Sequence, residues 1–172
     1  MTTEDAYFWS HGQKVPLSSS NEIAIDLGAA TKAGLSRDQL EPIRHKGRDL
    51  PGQLILLDAA ALPESVRERL DSVGAIHPVY QTEDNTTLVV LPEVRVELKD
   101  PADQERLQDL LAGSSTDAVL EETKPGRVVL HPKSGRGADA LQLANQVVEE
   151  VHPPVAQARF VRVVRRPDQD LR

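Results

Sequence analysis

The chain has 172 residues, no cysteine, 20 Lys+Arg against 27 Asp+Glu, and only 3% aromatic residues. That length suits one ordinary domain or two small ones, and 39% hydrophobic content is enough for a core. The absence of thiols excludes a disulfide scaffold, a zinc–thiolate site and thiol chemistry, while a net charge of −7 argues against a dedicated nucleic-acid binder, which needs a clustered basic face.

Tyr7 to Leu17 predicts a short hairpin with its turn at His11-Gly12. Ser18-Ser19-Ser20-Asn21 reads as a polar break. In Glu22 to Leu27, Ile23, Ile25 and Leu27 alternate with Ala24 and Asp26, the period of a half-buried strand. Ser36 can cap a helix carrying Leu40 and Ile43 that ends before Gly47. Gln53 to Leu57 predicts a strand buried on both faces. Pro63 and Glu64 suit the first turn of a helix with Val66, Leu70 and Val73 on one stripe and Gly74 as its stop. Strands follow at Ile76 to Gln81 and, after an Asp84-Asn85 turn, at Thr87 to Leu91.

A second block repeats the plan. Val94, Val96 and Leu98 alternate with Arg95, Glu97 and Lys99, a strand with one wet face. Asp100-Pro101 opens a helix with Leu107, Leu110 and Leu111 inward and Gly113 as its stop. Asp117 to Glu122 and Arg127 to His131 flank Lys124-Pro125-Gly126 as a hairpin. Ala138 to Val151 predicts a long helix with Leu141, Ala144, Val148 and Val151 on one face, closed by Pro153-Pro154, before a last strand from Ala158 to Val164.

The second block therefore runs β-α-β-β-α-β, and the first follows a β-α-β-α-β rhythm. The expected class is α+β: a ferredoxin-like βαββαβ plait in the C-terminal half, with a related or elaborated α/β subdomain in the N-terminal half. Two plaits in tandem and one plait with an elaborated subdomain both fit. The expected boundaries are 1–86 for the hairpin and N-terminal subdomain, 87–164 for the plait, and 165–172 for an extended tail.

Local motifs point away from chemistry. His11, His45, His77, His131 and His152 show no metal-ligand spacing, and the loop serines lack a nucleophile elbow. Gly135-Arg136-Gly137 reads as a plain helix entry rather than an anion cradle. Glu121 and Glu122 face opposite sides of a strand, and Glu149 and Glu150 lie on the outer face of a helix. Arg159, Arg162, Arg165 and Arg166 decorate the last strand and tail, where charge also protects a sheet edge from aggregation. No enzyme activity, metal or cofactor is expected. The acidic N-terminus lacks the basic and apolar segments of a secretory signal, and the apolar runs are strand-sized, so a cytoplasmic location is expected, with neither nucleic acid nor membrane as partner.

From Pro92 onward the order becomes specific. Pro92-Glu-Val-Arg-Val-Glu-Leu98, a helix, a Val-rich hairpin, Ala138-Asp-Ala-Leu-Gln-Leu-Ala-Asn145 and Pro154-Val-Ala-Gln-Ala-Arg-Phe160 together resemble the N-terminal propeptides of subtilases, the subtilisin-like serine proteases, and related standalone protease inhibitors. Tyr7-Phe-Trp-Ser-His-Gly-Gln-Lys-Val-Pro-Leu17 is similar to the opening of long bacterial subtilase propeptides. The resemblance covers the last half of the chain well and the first half loosely. No Asp-His-Ser catalytic domain follows Arg172, so the expected product is a propeptide fragment, a separate inhibitor, or the same plait put to another use.

The resemblance implies a module that binds a subtilase catalytic domain, in cis or in trans, as inhibitor and intramolecular chaperone. In such propeptides the sheet lies on two surface helices of the protease, and acidic side chains cap their N-termini. Here the candidate caps are Asp117, Glu121 and Glu122. The tail from Val164 onward would enter the active-site cleft as an added strand, with Arg165, Arg166, Asp168, Gln169, Asp170, Leu171 and Arg172 as contacts. The alternative is a non-catalytic ferredoxin-like interaction or regulatory domain that binds another protein or a second copy through an open sheet face.

Overall fold

The computed structural model describes residues 6–113 and 117–163. In chain order the described elements are β1 (Ala6–Ser10), β2 (Gln13–Asp26), α1 (Leu27–Lys32), α2 (Arg37–Lys46), β3 (Arg48–Leu50), β4 (Leu54–Asp58), α3 (Glu64–Ser72), β5 (Ile76–Gln81), β6 (Thr87–Glu97), α4 (Pro101–Gly113), β7 (Ala118–Lys124), β8 (Arg127–Pro132), α5 (Gly137–Val151) and β9 (Val155–Val163), with one 3-10 turn at Ala59–Ala61. The expected α+β class holds, and the strand pairs with a described register are antiparallel. None of the described helices is long and apolar enough to cross a membrane.

The chain divides into two units. One combines the described residues up to Ser18 with Val90–Phe160; the other combines Ser19–Val89 with the few described residues from Val161 onward. β2 and β6 each contribute residues to both. The N-terminal hairpin thus belongs with the C-terminal strands and helices, not with the segment that follows it in sequence.

In the unit built on Ser19–Val89 the strand order is β3-β4-β2-β5-β6. Ile25 lies opposite Ile55 and Ile23 opposite Leu57, so their side chains share one face. That face joins a buried core with Leu40 and Ile43 of α2 and Leu70 of α3. Ser36 caps α2 as its sequence suggests: its hydroxyl accepts from the Gln39 amide while the Gln39 side chain accepts from the Ser36 amide.

Three sequence expectations change here. The strand expected over Glu22 to Leu27 stops at Asp26, whose carboxylate accepts a hydrogen bond from the Ala29 amide at 3.0 Å and starts the unforeseen helix α1. The polar segment Ser18 to Asn21 remains inside β2 rather than breaking it, since backbone pairing tolerates polar side chains on a wet face. Finally, Arg48-Asp49-Leu50 forms β3 against β4, a strand too short and polar to announce itself. From β2 to β5 the first block therefore runs β-α-α-β-β-α-β.

In the unit built on Val90–Phe160 the strand order is β9-β6-β8-β7. Val94 pairs with Leu130 and Val96 with Val128, all buried; α5 packs beside α4 and against β8. Asp100 caps α4 as expected, accepting from the Asp103 amide at 3.1 Å, while Asp103 accepts from the Lys99 amide at 3.0 Å. Thr87 to Leu91 and Val94 to Leu98, expected as separate strands, are one continuous strand through Pro92. β9 starts three residues before the expected Ala158. The β1–β2 hairpin keeps its expected two-residue turn, with His11 at φ 50° and Gly12 at φ 77°, the left-handed pair required by a tight hairpin.

Candidate functional site

The two faces of the Val90–Phe160 sheet follow from its period of two. Val94, Val96, Val128 and Leu130 are buried, so Arg95, Glu97, Arg127 and Val129 occupy the opposite face. On the edge strand β7, Glu121 lies opposite Val129 and Val119 opposite His131, which extends the same face to Val119 and Glu121. Val119 is 51% exposed.

Cross-strand polar pairs span this face. Arg127 Nε lies 3.6 Å from a Glu97 carboxylate oxygen, His131 Nε2 lies 3.3 Å from Glu121, and Arg159 donates to Glu93 at 3.0 Å. Each is exposed enough that its net contribution to stability is about 0–1 kcal/mol. Their effect is on the pattern of the face: basic and acidic side chains pair across the strands, with an aliphatic spot at Val119 and Val129 among them.

Asp117, Glu121 and Glu122 separate as period two requires. Glu121 is on the charged face, and Asp117 has the same parity at the start of the strand, where its carbonyl accepts from the Lys133 amide at 2.8 Å. Glu122 lies opposite buried Val128 and so takes the other face, just before a register shift between Glu122 and Lys124. Arg165, Arg166, Asp168, Gln169, Asp170, Leu171 and Arg172 lie outside the described residues.

A second polar constellation ties the hairpin to α5. Phe8 is 5% exposed and meets Phe160 edge-on at 4.9 Å between ring centroids. Alternation then puts Tyr7 and Trp9 on the other side of β1, where the Tyr7 hydroxyl and the Trp9 indole N–H both donate to the Glu149 carboxylate, at 2.7 and 3.2 Å. Asn145 donates to the Tyr7 carbonyl at 2.8 Å. Glu149 is thus a structural acceptor rather than a merely solvated charge. Its hydrogen bond, helped by some burial and by its negative charge, raises the Tyr7 phenol above its ordinary pKa. The Lys14 ammonium sits 4.5 Å from the Tyr7 ring centre and 5.4 Å from that of Trp9, within cation–π range.

The Ser19–Val89 unit contains an Asp–His pair that motif reading missed. His77 on β5 is 2% exposed, and its Nε2 lies 3.4 Å from Asp26 Oδ2. The hydrogen bond to His77, reinforced by the Ala29 amide, outweighs burial and holds the Asp26 carboxyl below its ordinary pKa. His77 Nδ1 is buried without a partner. An aspartate orienting an imidazole is half of a base-activated nucleophile, but so closed a ring gives a reacting molecule no approach. The two residues lie 51 positions apart, so only the fold could reveal them.

At the entry to α5, the Ser134 hydroxyl donates to Asp139 at 2.6 Å and accepts from the Arg136 amide at 3.2 Å. The loop thereby uses its own side chains at the helix start. Among the described residues, no group of three or more histidine or acidic side chains is placed to hold a metal ion. Comparison of the chain with protein-family models, curated proteins and solved structures finds no match.

Proposed function

We propose that this chain is a non-catalytic protein-binding module of the subtilase-propeptide kind, whose Val90–Phe160 unit is a ferredoxin-like βαββαβ plait. The strand order β9-β6-β8-β7, with α4 and α5 as the two crossovers, supports that plait. The order β3-β4-β2-β5 around α1, α2 and α3 supports a second one in the Ser19–Val89 unit.

The observation that carries the reading is the charged sheet face ending at the edge strand β7, where Val119 stands exposed beside Glu121. A carboxylate presented on a rigid strand can accept from the unpaired amides at the N-terminus of a partner helix, a contact favoured by the helix dipole. Asp117 and Glu121 have the parity to do so from one face. The tail from Val164 onward would follow β9 into the protease cleft and pair as an added strand. A preformed sheet would also template the slow, non-local pairing of a large protease domain.

The test is a titration of the full chain against a subtilisin-like catalytic domain, reading binding and residual peptidase activity together. Stoichiometric inhibition is expected. Asp117→Asn with Glu121→Gln should weaken binding about tenfold or more, as loss of charge-assisted hydrogen bonds requires. Deletion of residues 164–172 should remove inhibition more completely than binding. An intact chain that neither binds nor inhibits an active protease sinks the reading. Unchanged protease binding after tail deletion, with no inhibition by either form, would favour a plain interaction domain.

A further inference from the structure

The Ser19–Val89 unit contains a cleft that plays no part in the sheet-face reading. Its volume is about 490 Å3, inside the range of small-ligand sites. One stripe of α2 forms a wall, because Arg37, Leu40, Glu41 and Arg44 at i, i+3, i+4 and i+7 share a helix face. The β3–β4 hairpin and α1 supply the rest. The floor is aliphatic: Leu40, Leu54 and Ile55 are buried, and half-buried Leu27 and Leu50 turn further apolar surface toward the opening.

Charge at the rim is unevenly satisfied. Glu41 lies 3.4 Å from His45 of its own helix, a contact that is ionic only when the imidazole is protonated. Arg37 and Arg44 have no ion pair or side-chain hydrogen bond among the described residues, and neither does Asp49 across the cleft. Two guanidinium groups with no partner among the described residues therefore share the rim with the Glu41 and Asp49 carboxylates. Arg37 is also the first residue of α2, where the helix dipole adds positive potential. A guanidinium presents a planar fork of donors that matches a carboxylate.

We infer that this cleft binds a small organic anion with an aliphatic body, a medium-chain carboxylate being the simplest member. The chain lies on Leu40, Leu50 and Leu54, which offer nothing to a polar group. The carboxylate is taken at the rim by Arg37 and Arg44. An amine of the same length offers the two guanidinium forks no acceptor, and so is selected against.

The experiment titrates sodium octanoate, 1-octanol and octylammonium chloride separately into the full chain at fixed ionic strength, following leucine and isoleucine methyl resonances. Octanoate should saturate shifts at Leu27, Leu50 and Ile55 and bind about tenfold tighter than octylammonium. The double substitution Arg37→Gln and Arg44→Gln, both on exposed positions, should cut octanoate affinity about tenfold and leave octanol unchanged. Leu50→Trp, filling the cleft, should abolish binding of both. Equal affinity for the three compounds, undiminished octanoate binding in the arginine double variant, shifts centred elsewhere, or no saturable shifts would each overturn the inference.

Discussion

Gly47 offers a sharp test of how tightly α2 is seated. It closes the helix with φ −109° and ψ −178°, a backbone any residue can adopt, so the constraint is space alone. A methyl group there would lie 2.2 Å from Ile55 Cγ2, 3.0 Å from the Leu56 carbonyl oxygen and 3.3 Å from Leu57 Cβ. Carbon–carbon contacts are best at about 3.5–4.0 Å, so the first overlap exceeds 1 Å by about half. Ile55 has little freedom to yield, being 1% exposed and registered against Ile25. Leu56 is fixed between Ala24 and Arg48 in the ladder. The helix end and β4 must therefore part, and Gly47→Ala should cost about 2–3 kcal/mol, the upper part of the overpacking range. Urea titration followed by far-UV circular dichroism measures it, with the slope checked for constancy. Gly113→Ala is the matched control: nothing among the described residues lies within 4 Å of its added methyl, and replacing a helical glycine should gain about 0.5 kcal/mol. A Gly47→Ala protein as stable as the parent, within about 0.5 kcal/mol of experimental scatter, would refute the reasoning.

Three further outcomes follow from the same packing. Phe8→Ala should lose about 3–5 kcal/mol, because the ring is buried against Phe160; the urea midpoint reads this directly. Ser36→Ala should cost about 1 kcal/mol by opening the reciprocal hydrogen bonds with Gln39, again as a midpoint shift at constant slope. Asp26 titrates below its ordinary value in the folded chain, so its stabilising effect is complete above the unfolded pKa and disappears as pH falls through the folded one. Stability measured from neutral pH into acid should consequently fall less steeply for Asp26→Asn than for the parent. An unchanged acid slope would show that the His77 contact is energetically idle.

Much of the fold was legible because the signals are local. The two-residue turn at His11-Gly12, the caps at Ser36 and Asp100, and the alternation at Val94 to Glu97 depend on neighbours a few residues away. So does the parity that sends Glu121 and Glu122 to opposite faces. What sequence could not supply was identity of partner. β3 has only three residues, two of them charged, and exists because β4 offers it a ladder. Asp26 has the alternation of a strand residue, yet its carboxylate serves both the first turn of α1 and His77. Nothing in the spacing of β7 marks it as an edge or sets His131 beside Glu121.

The sequence by itself determined the α+β class, the positions of the long helices and most strands, and a cysteine-free composition that excludes thiol and zinc–thiolate chemistry. Periodicity and capping are properties of adjacent residues, so they survive without a fold. Tertiary structure alone decided that the N-terminal hairpin joins the C-terminal strands, with Tyr7 and Trp9 donating to Glu149 some 140 residues away. It also decided that His77 is closed off beside Asp26, and that Arg37 and Arg44 flank an aliphatic cleft. Those arrangements come from long-range burial of apolar surface, which fixes where polar groups meet and which of them are left without a partner.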